Sequence, residues 1–158
     1  MMTDFIPKGW KVYKLDELGS VARGRSKHRP RNDPSLYIGD YPFIQTANIV
    51  ESEFYITSYQ QTYNEKGLAQ SQLWNPNTLC IAIAGENTGQ CAILTFTSCF
   101  PDSVIGFVAD NAKSDVRYIK YYIDTLKPQI KSITKGATQD NLSVSKLLSL
   151  DIVAPPLD

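Results

Sequence analysis

The chain has 158 residues, with 16 Lys and Arg against 16 Asp and Glu, one His and three Cys. That length predicts a single domain over residues 1–158 with one sizeable core, and 42% hydrophobic residues argue against a disordered chain. No apolar run approaches the roughly 20 residues of a membrane span, and the first residues do not resemble a secretory signal. Taken alone, the zero net charge argues against nucleic-acid binding.

The first elements are predicted before the long loop that begins at residue 24. The alternation over Gly9–Leu15 indicates a short strand. Asp16 is a suitable N-cap, which predicts a short helix over Glu17–Ala22 that ends near Gly24. Residues 24–41 contain two prolines and turn-forming residues, so a long loop is predicted there. Long loops in compact domains are usually functional.

The charge of this loop reverses the first impression from the net charge. Residues 1–37 carry a balance of +4, residues 38–110 of −6 and residues 111–158 of +2. Within the first part lies the sequence R-G-R-S-K-H-R-P-R, the basic segment, whose cations occupy every odd position from 23 to 31. In an extended conformation these side chains project to one side and repel one another unless a polyanion such as DNA lies opposite. The alternative is a solvated, mobile basic loop.

Most predicted strands lie between residues 42 and 109. They are Pro42–Thr46, Phe54–Thr57, Leu79–Ala84, Gln90–Phe96 and Ser103–Ala109, with a short helix over Tyr63–Gln70. The turn at residues 85–89 begins and ends with glycine and predicts a hairpin between its two flanking strands. The three cysteines of this region, Cys80, Cys91 and Cys99, form no C-x-x-C pair. An odd number without that spacing argues against disulfides or a zinc site and favours a reducing, cytoplasmic setting.

The clearest helix begins after Ser114, which is a suitable N-cap. Apolar residues then recur every three or four positions and form one stripe, at Val116, Ile119, Ile123, Leu126, Ile130 and Ile133. Pro128 interrupts the pattern, so a kink or a break is expected, and Gly136 ends it. A capped helix over Ser143–Leu148 and a strand over Leu150–Val153 follow. Strands and helices without regular alternation indicate an α+β fold with a twisted, mostly antiparallel sheet and flanking helices.

Both ends of the chain resemble one known family. The chain opens with I-P-K-G-W-K-V-Y-K-L-D-E-L-G and closes with K-G-A-T-Q-D-N-L-S-V-S-K-L-L-S-L-D-I-V-A-P-P. Between them stand the I-A-G-E-N-T-G turn and the helix V-R-Y-I-K-Y-Y-I. This ordered set resembles the target recognition domain of the specificity (S) subunit of type I restriction–modification enzymes. The resemblance spans nearly the whole chain.

The resemblance implies a non-catalytic domain that reads double-stranded DNA and needs no cofactor. In this family two such domains are separated by long helices, and each reads half of a split target for methyltransferase (modification) subunits. The partners methylate adenine or, with a restriction and motor subunit, permit cleavage. The chain ends at Asp158, where the family enters its first long helix. The chain is then either a piece of a longer subunit or the product of a short, rearranged reading frame, and Met1 at its start fits the amino-terminal recognition domain of a longer subunit.

Three groups of residues are candidates for DNA contact. The first is the basic segment, with Arg23, Arg25, Ser26, Lys27, His28, Arg29 and Arg31. Its arginines can bind guanine or phosphate, its lysine can bind phosphate, and Ser26 and His28 can add hydrogen bonds. The second is Gln45, Thr46 and Asn48, whose amides suit adenine, with ordinary turn chemistry as the alternative. The third is Lys135, Thr138, Gln139 and Asn141, with a structural loop whose Asn141 caps the next helix as the alternative.

Two other readings are weaker. An enzyme would need Cys91 or Ser103 with His28, but no G-x-S-x-G motif surrounds them, and Pro155-Pro156 lacks the Asn and the aromatic residue of a methyltransferase motif. The acidic residues are too scattered for a nuclease. The remaining alternative is a protein-interaction module that docks a methyltransferase or another subunit through its tyrosines and an apolar helix face, without reading DNA.

Overall fold

The computed structural model describes residues 6–134 and 142–157. Within these ranges the strands form three sheets rather than the single predicted one, and helices flank them. Six of the eight strand pairs are antiparallel. The α+β class with mostly antiparallel pairing is therefore confirmed. No helix of the described ranges is long and apolar enough to cross a membrane.

A five-stranded sheet lies at the centre. In spatial order its strands are β2 (Gly19–Arg23), β10 (Val104–Ala109), β7 (Leu79–Ala82), β8 (Cys91–Leu94) and β4 (Tyr55–Ile56). The strands β7 and β8 are fully buried, and for β7 the continuous apolar sequence predicts this. They pair antiparallel on either side of the turn at residues 85–89, which confirms the predicted hairpin.

Two smaller sheets complete the architecture. The four-stranded sheet has the order β5 (Gln61–Tyr63), β3 (Tyr37–Phe43), β9 (Ser98–Cys99) and β6 (Leu73–Trp74). Its strand β3 changes register against β5, because Tyr37 and Tyr41 both lie opposite Tyr63. The third sheet pairs β1 (Lys11–Tyr13) with β11 (Ile152–Ala154), which brings the two ends of the described chain together.

Five α-helices lie in the described ranges, namely α1 (Thr46–Glu51), α2 (Glu65–Ala69), α3 (Val116–Thr125), α4 (Lys127–Thr134) and α5 (Val144–Leu148). Along α3 and α4 the predicted stripe is buried at Ile119, Ile123, Leu126 and Ile130, which pack on the five-stranded sheet. The helix breaks at Leu126, two residues before Pro128, as the proline predicts. Ser143 caps α5 by accepting from the backbone N–H of Lys146, also as predicted.

The predictions for the elements around β2, the start of β3 and the start of α3 are wrong. Residues 19–23 form strand β2 rather than the end of a helix, since they pair along the edge of β10. Gly19 lies so close to β10 that a Cβ there would stand 2.2 Å from the Val108 carbonyl oxygen, so this edge selects glycine. Strand β3 begins at Tyr37, inside the predicted loop. The N-cap of α3 is Asp115, one residue later than predicted, because the Ser114 hydroxyl donates instead to the Leu18 carbonyl.

Candidate nucleic-acid interface

The basic segment leaves the edge strand β2 and is fixed by its backbone. The amide of Gly24 donates to the Val104 carbonyl at 2.8 Å, and the amide of Arg25 donates to the Phe100 carbonyl at 3.0 Å. A Cβ on Gly24 would stand 2.4 Å from the Phe100 carbonyl oxygen, so the chain can run this close only with glycine there. The Ser71 hydroxyl donates to the Arg25 carbonyl at 2.7 Å. These bonds hold the start of the segment against the protein.

The side chains of the basic segment alternate between the interior and the solvent. Gly24 and Ser26 are buried and His28 is partly buried, while the cations at positions 23, 25, 27, 29 and 31 are all exposed. The segment therefore presents its cations to solvent. It holds Ser26 inside, where Arg29 contacts the Ser26 carbonyl rather than leaving it to a ligand.

Asp102, in the connection between β9 and β10, contacts two arginines of the basic segment. Its carboxylate Oδ1 lies 2.6 Å from the Arg31 guanidinium, and both side chains are partly exposed. Its main-chain carbonyl accepts from Arg23 Nε at 3.0 Å. One acidic residue thus neutralises part of the field of the basic segment. Arg31 and Asp102 are 71 positions apart, so no local sequence pattern reveals this pair.

The remaining three cations of the basic segment differ in the hydrogen bonds that their side chains make. The guanidinium of Arg29 donates to the carbonyls of Ser26 at 2.7 Å and His28 at 2.9 Å, so it stiffens its own loop. The side chains of Arg25 and Lys27 make no hydrogen bond or ion pair with any residue of the described ranges. These two exposed cations are therefore the ones that an anionic ligand reaches without displacing a protein contact.

His28 closes the far side of the loop. Its Nε2 lies 2.7 Å from Asp33 Oδ2, and its backbone amide donates to the Gln70 side chain at 3.0 Å. Asp33 also accepts from the backbone and the hydroxyl of Ser35. These hydrogen bonds, with the Ser35 backbone N–H contributing most, lower the pKa of Asp33 to about 2. His28 is thus placed as an internal brace of the loop.

The second predicted group lies where β3 passes into α1. Gln45 and Thr46 begin that helix instead of ending a strand, which corrects the predicted strand over Pro42–Thr46. Asn48 is buried, and both ends of its side-chain amide are paired: Oδ1 accepts from the backbone N–H of Gln45 at 2.9 Å, and Nδ2 donates to Gln60 Oε1 at 2.7 Å. Its amide therefore positions its neighbours. The exposed Gln45 side chain donates to Gln61 at 2.7 Å.

Two glutamines that were not predicted as contact residues lie beside this group. Gln60 and Gln61 are exposed and accept hydrogen bonds from Asn48 and Gln45, respectively. No described residue accepts a hydrogen bond from their side-chain amide nitrogens, so these N–H donors are exposed beside Gln45. The polar run Y-Q-Q-T is the only sequence signal for them. The third predicted group, Lys135, Thr138, Gln139 and Asn141, lies outside the described residues.

The cysteine considered for catalysis is buried in the protein interior. Cys91 is buried under α3, and burial raises the pKa of its thiol to about 12, which opposes formation of a thiolate. Cys80 and Cys99 are buried as well, and the pKa of each is raised chiefly by burial. Among the described residues, no three His, Cys, Asp or Glu side chains come together as a metal site.

An α+β fold with one exposed row of cations is the kind of surface that DNA-contacting proteins present. A family model described as the type I restriction modification DNA specificity domain matches residues 7–158. The chain belongs to this family.

The chain is similar to one named relative in sequence and to two solved structures in fold. The type I restriction enzyme MjaIX specificity subunit of Methanocaldococcus jannaschii is 26% identical over 156 residues, which is 95% of this chain and 35% of that protein. The crystal structure of the HsdS subunit from Thermoanaerobacter tengcongensis has a TM-score of 0.74 at 18% identity, over 96% of this chain and 34% of that one. A structure from a study of complex assembly and conformational transition of the type I R-M system has a TM-score of 0.77 at 18% identity, over 96% and 35%. The chain spans about a third of the length of these relatives.

Proposed function

We propose that this chain is a single target recognition domain that reads one half of a bipartite duplex DNA target for adenine methyltransferase subunits. The observation that carries the proposal is the basic segment, whose five cations are exposed while its backbone is fixed. Membership of the DNA specificity family and the similarity to a named specificity subunit support the same assignment.

Within the proposed interface the cations have different tasks. Arg25 and Lys27 contact the phosphate backbone directly, since no described residue holds their side chains. Arg23 and Arg31 reach DNA after exchanging Asp102 for phosphate or a guanine edge. Arg29 and His28 shape the loop through Ser26 and Asp33, so their contribution to binding is indirect.

The glutamines near α1 supply a second set of contacts. Gln45, Gln60 and Gln61 offer exposed amides, which pair well with base edges in the major groove. Thr46 lies beside them, and Asn48 holds Gln45 and Gln60 in place. Lys135, Thr138, Gln139 and Asn141 form the third proposed contact group.

The chemistry belongs to partners in this proposal. The chain contributes recognition and no catalytic group, and a methyltransferase subunit flips the adenine out of the helix and methylates it. Cleavage requires the restriction and motor subunit, which acts through the assembled complex. Recognition by charge and amide contacts needs no cofactor.

Salt-dependent binding of duplex DNA tests the proposal. The double variant Arg25→Ala/Lys27→Ala removes two proposed phosphate contacts, so the slope of log Kd against log salt concentration falls by about 1.8. Lys11→Ala is the matched control, because Lys11 is an exposed lysine on β1 outside the proposed contacts. The control keeps the wild-type slope. An unchanged slope in the double variant would remove the basic segment from the interface.

A further inference from the structure

One residue beside the basic segment has an unusual conformation. Ile38 has φ of 71° and is 90% exposed. A β-branched residue rarely adopts the left-handed region, where its side chain crowds the backbone. Because the side chain is exposed, its burial contributes nothing to the free energy of folding. The isolated chain therefore bears a conformational cost at Ile38 that no burial of the side chain offsets.

The backbone on both sides of Ile38 is fixed. The Tyr37 carbonyl accepts from Asn64 Nδ2 at 3.0 Å, and the Gly39 amide donates to Thr62 Oγ1 at 3.0 Å. A Cβ on Gly39 would stand 2.5 Å from the Asn64 Cα, so this part of β3 presses against the start of α2. The register of β3 changes between Tyr37 and Tyr41, and residues 38–40 between them are all exposed. Ile38 is thus an apolar tip on a firmly held bulge.

This tip is joined to the proposed DNA interface. The Tyr37 hydroxyl donates to the Arg31 carbonyl at 2.6 Å, which ties the bulge to the end of the basic segment. Asp40, two residues beyond Ile38, is also exposed. A carboxylate repels phosphate but accepts a hydrogen bond from the amino group of cytosine, whereas an apolar side chain packs on the thymine methyl group. The two side chains together suit the base edges of the major groove rather than the phosphate backbone.

We propose that Ile38 is a specificity-determining residue that packs on the 5-methyl group of a thymine in the target. The proposal rests on the proposed function, since it requires a duplex against the basic segment. Strained residues persist where the surrounding structure enforces them, and they cluster at binding sites. The partner that covers Ile38 is a DNA base in this proposal, and a protein surface there is an outcome that would overturn it.

The variant Ile38→Asn gives effects of opposite sign on stability and binding. Asparagine tolerates a positive φ, so the melting temperature rises by roughly 2–4 °C. Loss of the apolar contact raises the Kd for the preferred duplex about ten-fold. The control is Val108→Asn, because Val108 is an exposed β-branched residue on β10 outside the proposed contacts. It keeps DNA affinity and gains no stability.

The methyl group itself is tested on the duplex. A duplex is selected from a randomised library with the wild-type chain, and each thymine is then replaced in turn by uracil, which lacks the 5-methyl group. One replacement raises the wild-type Kd about four-fold, as expected for one buried methyl group, and leaves the Kd of Ile38→Asn unchanged. Equal sensitivity of both proteins to every replacement would overturn the assignment, as would wild-type DNA affinity in Ile38→Asn with lost binding of a protein subunit. Failure of the proposed function looks different, because the wild-type chain would then select no duplex at all.

Discussion

In the proposed complex, Asp102 and DNA compete for the Arg31 guanidinium, and the Arg31–Asp102 ion pair allows the size of this effect to be predicted. The variant Asp102→Asn keeps the size of the side chain and removes its charge. The two charged groups are 2.6 Å apart, with 47% and 36% of their side-chain surfaces exposed. A pair this exposed contributes at most about 1 kcal/mol, so the free energy of unfolding falls by that amount or less. The contact of Arg23 is to the main-chain carbonyl of residue 102 and is kept.

The effect on DNA binding follows from the same pair. If Arg31 leaves Asp102 when it binds DNA, the wild-type protein gives up the ion pair on binding and the variant does not. The variant then binds more tightly by the free energy it lost in stability, which is up to about five-fold in Kd for 1 kcal/mol. Urea unfolding gives the first quantity and fluorescence anisotropy with a labelled duplex gives the second. The two changes should match in size and oppose in sign.

The control for this prediction is Asp16→Asn. Asp16 is exposed and makes no side-chain hydrogen bond within the described ranges, so its replacement changes the net charge equally without freeing an arginine. Any general effect of charge on DNA affinity appears in both variants and is subtracted. Lower stability of Asp102→Asn with unchanged DNA affinity would refute the reasoning, because Arg31 would then remain with Asp102 in the complex.

Three further predictions concern the scaffold. Lys120 is buried and its Nζ lies 2.8 Å from the Asp124 carboxylate, which is a third exposed. Asp124→Ala leaves the buried ammonium group without its partner and should lower the free energy of unfolding in urea by about 3 kcal/mol. Lys120→Met removes the buried charge and should stay within about 1 kcal/mol of the wild type. Equal losses would contradict this asymmetry. The pKa of Asp33 is lowered to about 2, so the stabilising effect of its carboxylate is complete above about pH 4 and is lost as the pH falls towards 2. The free energy of unfolding of Asp33→Asn should therefore vary less with pH over that range than that of the wild type. Parallel pH profiles of the two proteins would contradict this prediction. Gly24→Ala places a methyl group against backbone oxygens and should cost about 1–3 kcal/mol and weaken DNA binding, while wild-type stability would disprove the close approach.

Those elements that depend on local patterns could be predicted from the sequence. The apolar stripe along α3 and α4 has a strong helical period, and the hairpin of β7 and β8 has two buried strands around a turn with glycine at both ends. Pro128 breaks a helix for a purely local reason. In these cases the residues that decide the structure lie within a few positions of one another.

The rest depended on contacts that are distant in the sequence. Strand β2 is short, has a mixed pattern and follows a capping signal, so its identity comes only from pairing with β10. The alternation within the basic segment was visible, but the partner of Arg31 was 71 positions away. The bulge that exposes Ile38 arises from a change of register against β5, which no local pattern reports. The number of sheets was missed for the same reason.

The most direct test of the central claim is the methylation pattern set by a hybrid specificity subunit. Residues 7–158 replace the corresponding domain in a complete type I specificity subunit, and the methylated motif is determined by sequencing the modified bases of the host genome. We expect one half of the bipartite motif to change while the other half and the methylated base type persist. A hybrid that still methylates the original, complete motif would contradict the claim that this chain reads DNA sequence.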